Sequence, residues 1–285
     1  MTTMTAMRAA ALMAAALTIP ALALASDSTF DKTLNVNGAV QLEISTGSGY
    51  VHVNPGSDNQ VHIIGHVHAN HGWMGSSDDQ VQKVVDNPPI QQSGNTIRVG
   101  QMHESWYNHV SIDYDVTAPK NTHLKAESGS GDLKAVGMSG GNRLETGSGT
   151  INGDNLGGES YLQTGSGDIR VNFTSGGNVT AGAGSGSIRL TGVKGGLKAE
   201  TGSGDVSIAG QPTDNWKIEA GSGAIDLNLG GSKFTLDAET GSGSIHTDQA
   251  ISMQGSLERH HITGNVNGGG PTVKVETGSG SIRIH

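Results

Sequence analysis

The chain has 285 residues, of which 45 are glycine and only 4% are aromatic, and it contains no cysteine. This composition is poor material for a thick globular core but suits thin, regular coils with many turns, and it excludes disulfides and thiolate metal sites. The formal net charge of -9 argues against nucleic acid and anionic lipid surfaces as partners.

The first 25 residues (1–25) have the features of a secretory signal peptide. Arg8 precedes an apolar run from Ala9 to Leu24, and the small residue Ala25 suits cleavage before Ser26. The alternative is an N-terminal membrane anchor, but the run is shorter than the roughly 20 residues that a spanning helix needs. We therefore expect an exported mature chain without an integral membrane segment, in the periplasm or cell envelope, with secretion as the alternative.

Residues 26–120 predict irregular N-terminal coils of β-structure. The stretches "AVQLEISTGSGYVHV", "NTIRVG" and "VSIDYDVTAP" have the alternation and composition of strands. A short helix is predicted over residues 77–86, because its sequence begins with capping residues, has two acids in its first turn and stops before Pro88. We expect this insertion to cap the apolar column, since an exposed solenoid end invites edge-to-edge aggregation.

The stretch "HIIGHVHANHGW" is a candidate metal site. In an extended strand His62, His66 and His68 lie on one face with His71 just beyond, and imidazole suits zinc, copper or nickel. The alternative is that solvent-facing strand positions tolerate histidine. Separations of two and four residues place the rings about 7 and 13 Å apart along the strand, which is too far for all three to share one ion.

Aromatic residues gather in two stretches predicted as loops, and they suggest a binding site at the N-terminal end. Trp73 lies in "HGWMGSS", while Trp106 and Tyr107 lie in "HESWYNH". Aromatic side chains are favoured anchors at interfaces. Packing of these residues against the inserted helix is the alternative.

Evidence for catalysis is weak in this sequence. Asp113 and Asp115 are two apart in a predicted strand and could be proposed as an acid and base pair of a glycan-active enzyme. Alternate strand positions commonly carry solvated charge, however, and we find no cofactor motif and no nucleophile elbow. We predict a protein that is not an enzyme and uses no cofactor.

The tripeptide Gly-Ser-Gly recurs through the chain and defines a repeat. From Gly129 to Gly241 the steps between copies are 18, 18, 19, 18, 19 and 20 residues, and the next copy follows 37 residues later, at Gly278. A period of 18–20 residues is the signature of a solenoid in which each repeat is one coil. The missing copy would fall near Gly264–Val266, which looks like a worn Gly-Asp-Val.

Alignment of the copies on their first glycine produces apolar columns with the period of two that strands require. Five residues before that glycine stand Leu42, Leu124, Val179, Leu197, Trp216, Leu236 and Val273. Four residues after it stand Val51, Leu133, Ile151, Ile169, Ile188, Val206, Ile225, Ile245 and Ile282. Each coil is thus a strand, a Gly-Ser-Gly corner, a second strand and a polar return.

The corner sequence predicts close backbone approach and positive φ angles, both of which favour glycine. The Ser or Thr before it should stack on its equivalents in adjacent coils. A rival geometry makes each Gly-Ser-Gly the tip of an antiparallel hairpin in a prism or propeller. A calcium ladder is not favoured, because the next residue is Asp132, Asp168 or Asp205 in three copies but is not acidic in five others.

The outward positions carry a base and an acid two residues apart. Such pairs are Lys125/Glu127, Arg143/Glu145, Lys198/Glu200, Lys217/Glu219 and Lys274/Glu276. In stacked coils these would line up as adjacent basic and acidic ladders. We favour register control and solubility over a charged recognition stripe, because exposed ion pairs contribute only about 0–1 kcal/mol each.

The stretch "NPPIQQSGNTIRVG", the TGSG-[DS]-[IV] repeats and the ending "GGGPTVKVETGSGSIRI" together resemble a bacterial family of β-strand-repeat proteins. This family is a domain of unknown function with a provisional adhesin label, and the resemblance covers essentially the whole mature chain. It implies a β-solenoid exported to the cell envelope and supplies no catalytic residues.

We therefore predict an all-β fold, a single right-handed parallel β-solenoid over residues 26–285, with regular coils from residue 121 onwards. The predicted function is a noncatalytic, adhesin-like scaffold that binds a protein or glycan partner of the envelope. A histidine-based metal binder and a glycan-active enzyme are the alternatives. The sequence does not identify the partner or the oligomeric state.

Overall fold

The computed structural model describes residues 28–69, 77–100, 110–252 and 260–285. Its strands form one large, mixed sheet wound as a solenoid, with a small helix near the N-terminal end. The predicted all-β solenoid is confirmed in this form, whereas its right-handed sense stays a prediction. The predicted signal peptide lies outside the described residues.

The N-terminal part contains β1 (Ser28–Asn35), β2 (Gln41–Thr46), β3 (Val51–Pro55), β4 (Gln60–Ala69), α1 (Ser77–Asp86), β5 (Ile90–Ser93), β6 (Thr96–Val99) and β7 (Val110–Ala118). The regular coils contain β8 (His123–Ser128), β9 (Leu133–Val136), β10 (Asn142–Thr146), β11 (Ile151–Leu156), β12 (Ser160–Thr164), β13 (Ile169–Phe173), β14 (Val179–Ala183), β15 (Ile188–Ser203), β16 (Val206–Ser222) and β17 (Ile225–Asn228). The C-terminal part contains β18 (Phe234–Ser242), β19 (Ile245–Thr247), β20 (Ile251–Ser252), β21 (His261–Val266), β22 (Thr272–Ser279) and β23 (Ile282–Ile284).

Successive copies of the repeat pair in parallel and in register, so that equivalent residues stack on one another. Arg143 pairs with Lys125 on one side and with Tyr161 on the other, for example. We call the strands before each corner the leading face (β6, β2, β8, β10, β12, β14, the second halves of β15 and β16, β22 and β18). The strands after each corner form the trailing face (β7, β3, β9, β11, β13, the first halves of β15 and β16, β17, β23 and β19). Parallel stacking of the copies excludes the hairpin geometry.

The apolar columns point inward and fill one continuous core. Trp216 is among the largest fully buried side chains, and its indole N–H donates to the Gly195 carbonyl at 2.8 Å. Core residues from the helix, Val81 and Val84, are buried in the same cluster. The helix predicted over residues 77–86 is therefore confirmed, and it packs onto the N-terminal end of the core.

The order of the coils departs from the order of the sequence at both ends. β2 and β3 lie between the coil of β6 and β7 and the coil of β8 and β9. At the other end, β22 and β23 lie between the coil of β16 and β17 and the coil of β18 and β19. Each end of the chain thus contributes a coil that is covered by a neighbour on both sides.

Antiparallel strands flank these inserted coils, which corrects the prediction of a wholly parallel solenoid. β4 pairs antiparallel with β7 and β1, β5 with β6, and β21 with β18 and β20. The segment Gly264–Val266 belongs to β21, so the prediction of a worn coil there was wrong. Short outer strands such as β19 and β20 leave little free edge for pairing with another chain.

The Gly-Ser-Gly corner depends on close approach between coils more than on backbone twist. A Cβ atom on Gly167 would lie 1.9 Å from the Gly149 carbonyl oxygen, and neither residue has a positive φ. Left-handed φ angles occur at the corners only in Gly204, Gly223 and Gly243, so the prediction of positive φ was wrong for the other described corners. Glycine is required at most corner positions because a side chain would collide with the neighbouring coil, and Gly47, whose Cβ would meet nothing within 4 Å, is an exception.

The hydroxyl before each corner links neighbouring coils. Thr164 is fully buried; its Oγ1 donates to the Gly149 carbonyl at 2.9 Å and accepts from the Gly167 N–H at 3.1 Å. Equivalent donation to the adjacent coil comes from Thr46, Ser128, Thr146, Thr201, Thr240 and Thr277. The predicted stacking of these small residues is confirmed, and hydrogen bonds between coils accompany it.

Candidate functional site

A cluster of titratable side chains lies on the trailing face at the N-terminal end. We call it the N-terminal polar patch; it consists of Tyr50, His52, His66, His68, Asp113 and Asp115. β7 carries the two aspartates and lies between β3 and β4. His52 lies in β3, His66 and His68 lie in β4, and Tyr50 directly precedes β3. The alternation of the strands directs these side chains away from the core.

Asp113 joins the patch to the repeat. Its Oδ1 accepts the Tyr50 N–H at 2.8 Å, and its Oδ2 lies 3.0 Å from Nε2 of His68. In the regular coils Asp132, Asp168 and Asp205 accept a backbone N–H of the next coil in the same way, at 2.7–2.9 Å. Asp113 therefore serves as an anchor between coils, and the aspartates after the corners have the same role.

Asp115 lies at the centre of the patch. Its Oδ1 lies 3.4 Å from Nδ1 of His52, and its Oδ2 lies 3.2 Å from Nε2 of His66. The Tyr50 hydroxyl donates to Oδ2 at 3.0 Å, and the Tyr50 ring stacks on His52 with centroids 4.2 Å apart. Burial, the hydrogen bond to Asp115 and the negative charges of Asp115 and Asp113 raise the pKa of Tyr50 to about 12. The phenol is therefore a permanent donor at physiological pH.

The predicted metal-binding histidines contact different carboxylates. His62 lies 2.8 Å from Asp31 on β1, whereas His66 and His68 contact Asp115 and Asp113. His71 lies outside the described residues. Within the described ranges, no group of three or more histidine, aspartate or glutamate side chains is arranged to hold a metal ion.

The two chain segments that contain the predicted aromatic site are connected to β4 and β7, which also carry residues of the patch. Trp73, Trp106 and Tyr107 lie outside the described residues. The segments that contain them, 70–76 and 101–109, join the sheet after Ala69 and before Val110. Ala69 and Val110 are paired neighbours in β4 and β7, so both segments are attached at the same point of the trailing face.

The five predicted base and acid pairs form ion pairs within their own strands. Lys125–Glu127, Lys198–Glu200, Lys217–Glu219 and Lys274–Glu276 have N–O distances of 2.5–2.8 Å, and Arg143 contacts Glu145. The hydrogen bond with Glu200 raises the pKa of Lys198, and the same contact lowers the pKa of Glu200. Since these side chains are well exposed, screening limits the contribution of each pair to about 0–1 kcal/mol.

A second histidine and aspartate cluster lies at the C-terminal end. His285 Nδ1 lies 2.7 Å from Asp248, and its Nε2 lies 3.6 Å from Asp226 on the adjacent strand β17. His246 lies 3.1 Å from Asp248. The hydrogen bond with Asp248 raises the pKa of His285 and lowers the pKa of Asp248.

The structure also contains a groove on the leading face that the sequence patterns did not predict. It has a volume of about 440 Å³ and is lined by side chains that include Glu43, His123, Lys125, Asn142, Arg143 and Tyr161. The signal was present in the sequence as two gaps in an apolar column, at Asn142 and Ser160. Both residues are buried.

No helix within the described ranges combines the length and apolar character that a membrane crossing requires.

The corners, inserted coils and ordered outward columns define a glycine-cornered β-solenoid. Residues 39–285 match the family model described as Toastrack DUF4097, and the chain belongs to this family. The resemblance seen in the repeats and the C-terminal stretch is thereby confirmed.

No curated protein matches the chain. Among solved structures, it is similar to a protein from Clostridium sporogenes described provisionally as a cell adhesion protein, with 14% identity over 91% of this chain and 99% of that chain and a TM-score of 0.26. It is also similar to a protein from Bacteroides fragilis described provisionally as an adhesin, with 13% identity over 92% of this chain and 99% of that chain and a TM-score of 0.26.

Proposed function

We propose that this chain is a noncatalytic, exported scaffold of the cell envelope that binds a protein or glycan partner through its N-terminal end. In this proposal the solenoid is right-handed, and Trp73, Trp106 and Tyr107 are the anchors of the interface. The regular coils give the molecule length and rigidity, and the N-terminal end supplies recognition.

The observation that carries this proposal is the pairing of Ala69 with Val110. It brings together the attachment points of the two segments that contain Trp73, Trp106 and Tyr107, in a chain that is only 4% aromatic. The N-terminal polar patch begins one residue away, at His68, with hydrogen-bonding groups such as the Tyr50 phenol. Aromatic anchors surrounded by polar groups are the usual composition of an interface hot spot.

The test is capture of the partner from the native envelope by the purified mature chain. Replacement of both Trp73 and Trp106 by alanine should abolish capture of the species that the unaltered chain retains. A matched control replaces Lys198 and Glu200 by alanine on the leading face, and this variant should capture normally. Circular dichroism and the thermal midpoint verify that both variants fold. Retained capture by the tryptophan variant would remove the proposed site.

A metal site at His62, His66, His68 and His71 is the second candidate. The observation in its favour is that His52 and His66 approach opposite oxygens of Asp115, which gathers two imidazoles around one carboxylate. Titration with Zn²⁺ by calorimetry tests it. Stoichiometric binding that is lost in His66→Ala supports a metal binder, and absence of heat with the unaltered chain eliminates it.

A further inference from the structure

The groove on the leading face lies across four neighbouring coils and is separate from the N-terminal polar patch. Its floor follows the inward-facing column that lies five residues before the first corner glycine, at Leu42, Leu124 and Asn142. One wall consists of the residues just before that column, and the other of the residues just after it. The first wall contains Gln41, His123, Gly141 and Glu159, and the second contains Glu43, Lys125, Arg143 and Tyr161.

The inward column becomes polar directly beneath this groove. Other described coils place Leu, Ile, Val or Trp there, whereas β10 and β12 place Asn142 and Ser160. Asn142 is 4% exposed; its Nδ2 donates to the Gly157 carbonyl at 3.0 Å, while its Oδ1 is buried and has no hydrogen-bond partner. Nearby, the Thr122 hydroxyl is likewise buried without a partner. Buried polar atoms without partners are rare and costly, so these two atoms indicate an ordered water molecule enclosed beneath the groove.

The charges of the second wall are already neutralised. Glu43 pairs with Arg98 at 3.1 Å, Lys125 pairs with Glu127 at 2.8 Å, and Arg143 contacts Glu145. The Arg143 guanidinium also lies 4.2 Å from the centroid of the Tyr161 ring. The paired ions of the second wall present many donors and acceptors with little net charge, and the first wall adds the Glu159 carboxylate, so the groove suits a neutral polar ligand better than an anion.

A gap in the first wall lies opposite Arg143, at Gly141. Gly141 has a φ of +115°, a conformation that other residues rarely adopt, so a side chain there would be strained. The opening is thus built into the backbone. Its volume falls within the roughly 300–1,000 Å³ that small-molecule sites occupy.

We propose that this groove binds a neutral oligosaccharide. Sugar hydroxyls would bond the paired side chains of the second wall. The half-buried Tyr161 ring would pack against the apolar C–H face of a sugar. An extended peptide fits less well, because β2, β8, β10 and β12 are each paired on both sides and offer no free edge for strand addition.

The experiment measures binding of maltotetraose, cellotetraose and chitotetraose to the mature chain by calorimetry and saturation-transfer NMR, with a polygalacturonate oligomer as the anionic comparison. We expect at least one neutral tetrasaccharide to bind, and we expect Tyr161→Ala and Arg143→Ala to weaken it by about tenfold or more. Lys217→Ala is the matched control for Arg143→Ala. It occupies the same outward column and has its own partner Glu219, but it lies outside the groove, so binding should be unchanged.

A second variant separates binding from folding. Tyr161→Phe keeps the ring and removes only its hydroxyl, so it should retain both the fold, as judged by circular dichroism and the thermal midpoint, and most of the affinity for the sugar. Failure of all three neutral tetrasaccharides to bind, binding of the anionic oligomer alone, or unchanged affinity in both Tyr161→Ala and Arg143→Ala would overturn the proposal. The outcome is independent of the N-terminal site, because none of these variants alters Trp73 or Trp106.

Discussion

The regular middle coils and the two ends of the solenoid obey different rules. From β8 to β17 the coils follow the order of the sequence, every pairing is parallel, and outward charges are mainly Lys or Arg with Glu or Asp. At each end a coil is inserted out of order, antiparallel strands appear, and histidine pairs with aspartate. Repetition therefore accounts for the architecture, and most of the chemically distinctive side chains lie where repetition stops.

The largest expected effect comes from the corner glycines whose Cβ positions face the backbone of a neighbouring coil, as at Gly167 in the middle and Gly49 in the N-terminal coil. Gly167→Ala places a Cβ 1.9 Å from the Gly149 carbonyl oxygen, and backbone on both sides prevents relaxation. We expect the free energy of unfolding to fall by about 3 kcal/mol or more. Gly47→Ala in the inserted N-terminal coil is the control, because its Cβ meets nothing within 4 Å. Urea unfolding measures both, and equal losses would refute the crowding argument.

A smaller effect is expected from the buried hydroxyls that join the middle coils. Thr164→Val keeps the shape but leaves the Gly149 carbonyl and the Gly167 N–H without their hydrogen-bond partner. This should cost about 1–3 kcal/mol of unfolding free energy. Thr164→Ser retains the hydroxyl and removes only a methyl group, so urea unfolding should show a loss of about 1 kcal/mol. A serine variant less stable than the valine variant would contradict the role of the hydroxyl.

The smallest effect concerns the ionisable contacts at the C-terminal end. Because the pKa of His285 is raised, its contact with Asp248 is fully present below about pH 6.5 and is lost as the pH rises through the raised value. Because the pKa of Asp248 is lowered, its contribution is present above about pH 3.8 and is lost as the pH falls through the lowered value. The contact should therefore be strongest between about pH 4 and 6.5.

NMR titration of the His285 ring protons tests this window. Asp248→Asn should bring the pKa of His285 down towards its ordinary value, and Asp226→Asn should lower it less, because the Asp226 contact is longer. A larger drop in the Asp226 variant would show that the contacts have been ranked wrongly.

The sequence predicted the columns, the corners and the helix because each depends on residues close together along the chain. It did not predict the insertion of β22 and β23, and the physical reason is that the columns are nearly identical. Val273 and Val275 fit equally well beside Leu197, Trp216 or Leu236, so the pattern defines the register within a coil but not the order of the coils.

The candidate sites were harder to predict because they depend on contacts distant in sequence. His66 and Asp115 are 49 residues apart, and only the antiparallel pairing of β4 with β7 brings them together. The groove is a partial exception, since the polar residues Asn142 and Ser160 interrupt a column that is otherwise apolar. An interruption of a repeat can therefore indicate function as clearly as the repeat indicates fold.

Photo-crosslinking in the native cell envelope tests the central claim most directly, namely that the N-terminal end recognises the envelope partner and that the coils of β15 and β16 only support it. Probes are placed beside Trp73 and Trp106, and comparison probes replace Lys198 and Lys217 in the middle of the leading face. Mass spectrometry should identify one specific adduct from the N-terminal probes and none from the middle probes. Adducts confined to the middle coils, or no adduct from the N-terminal probes, would contradict the account.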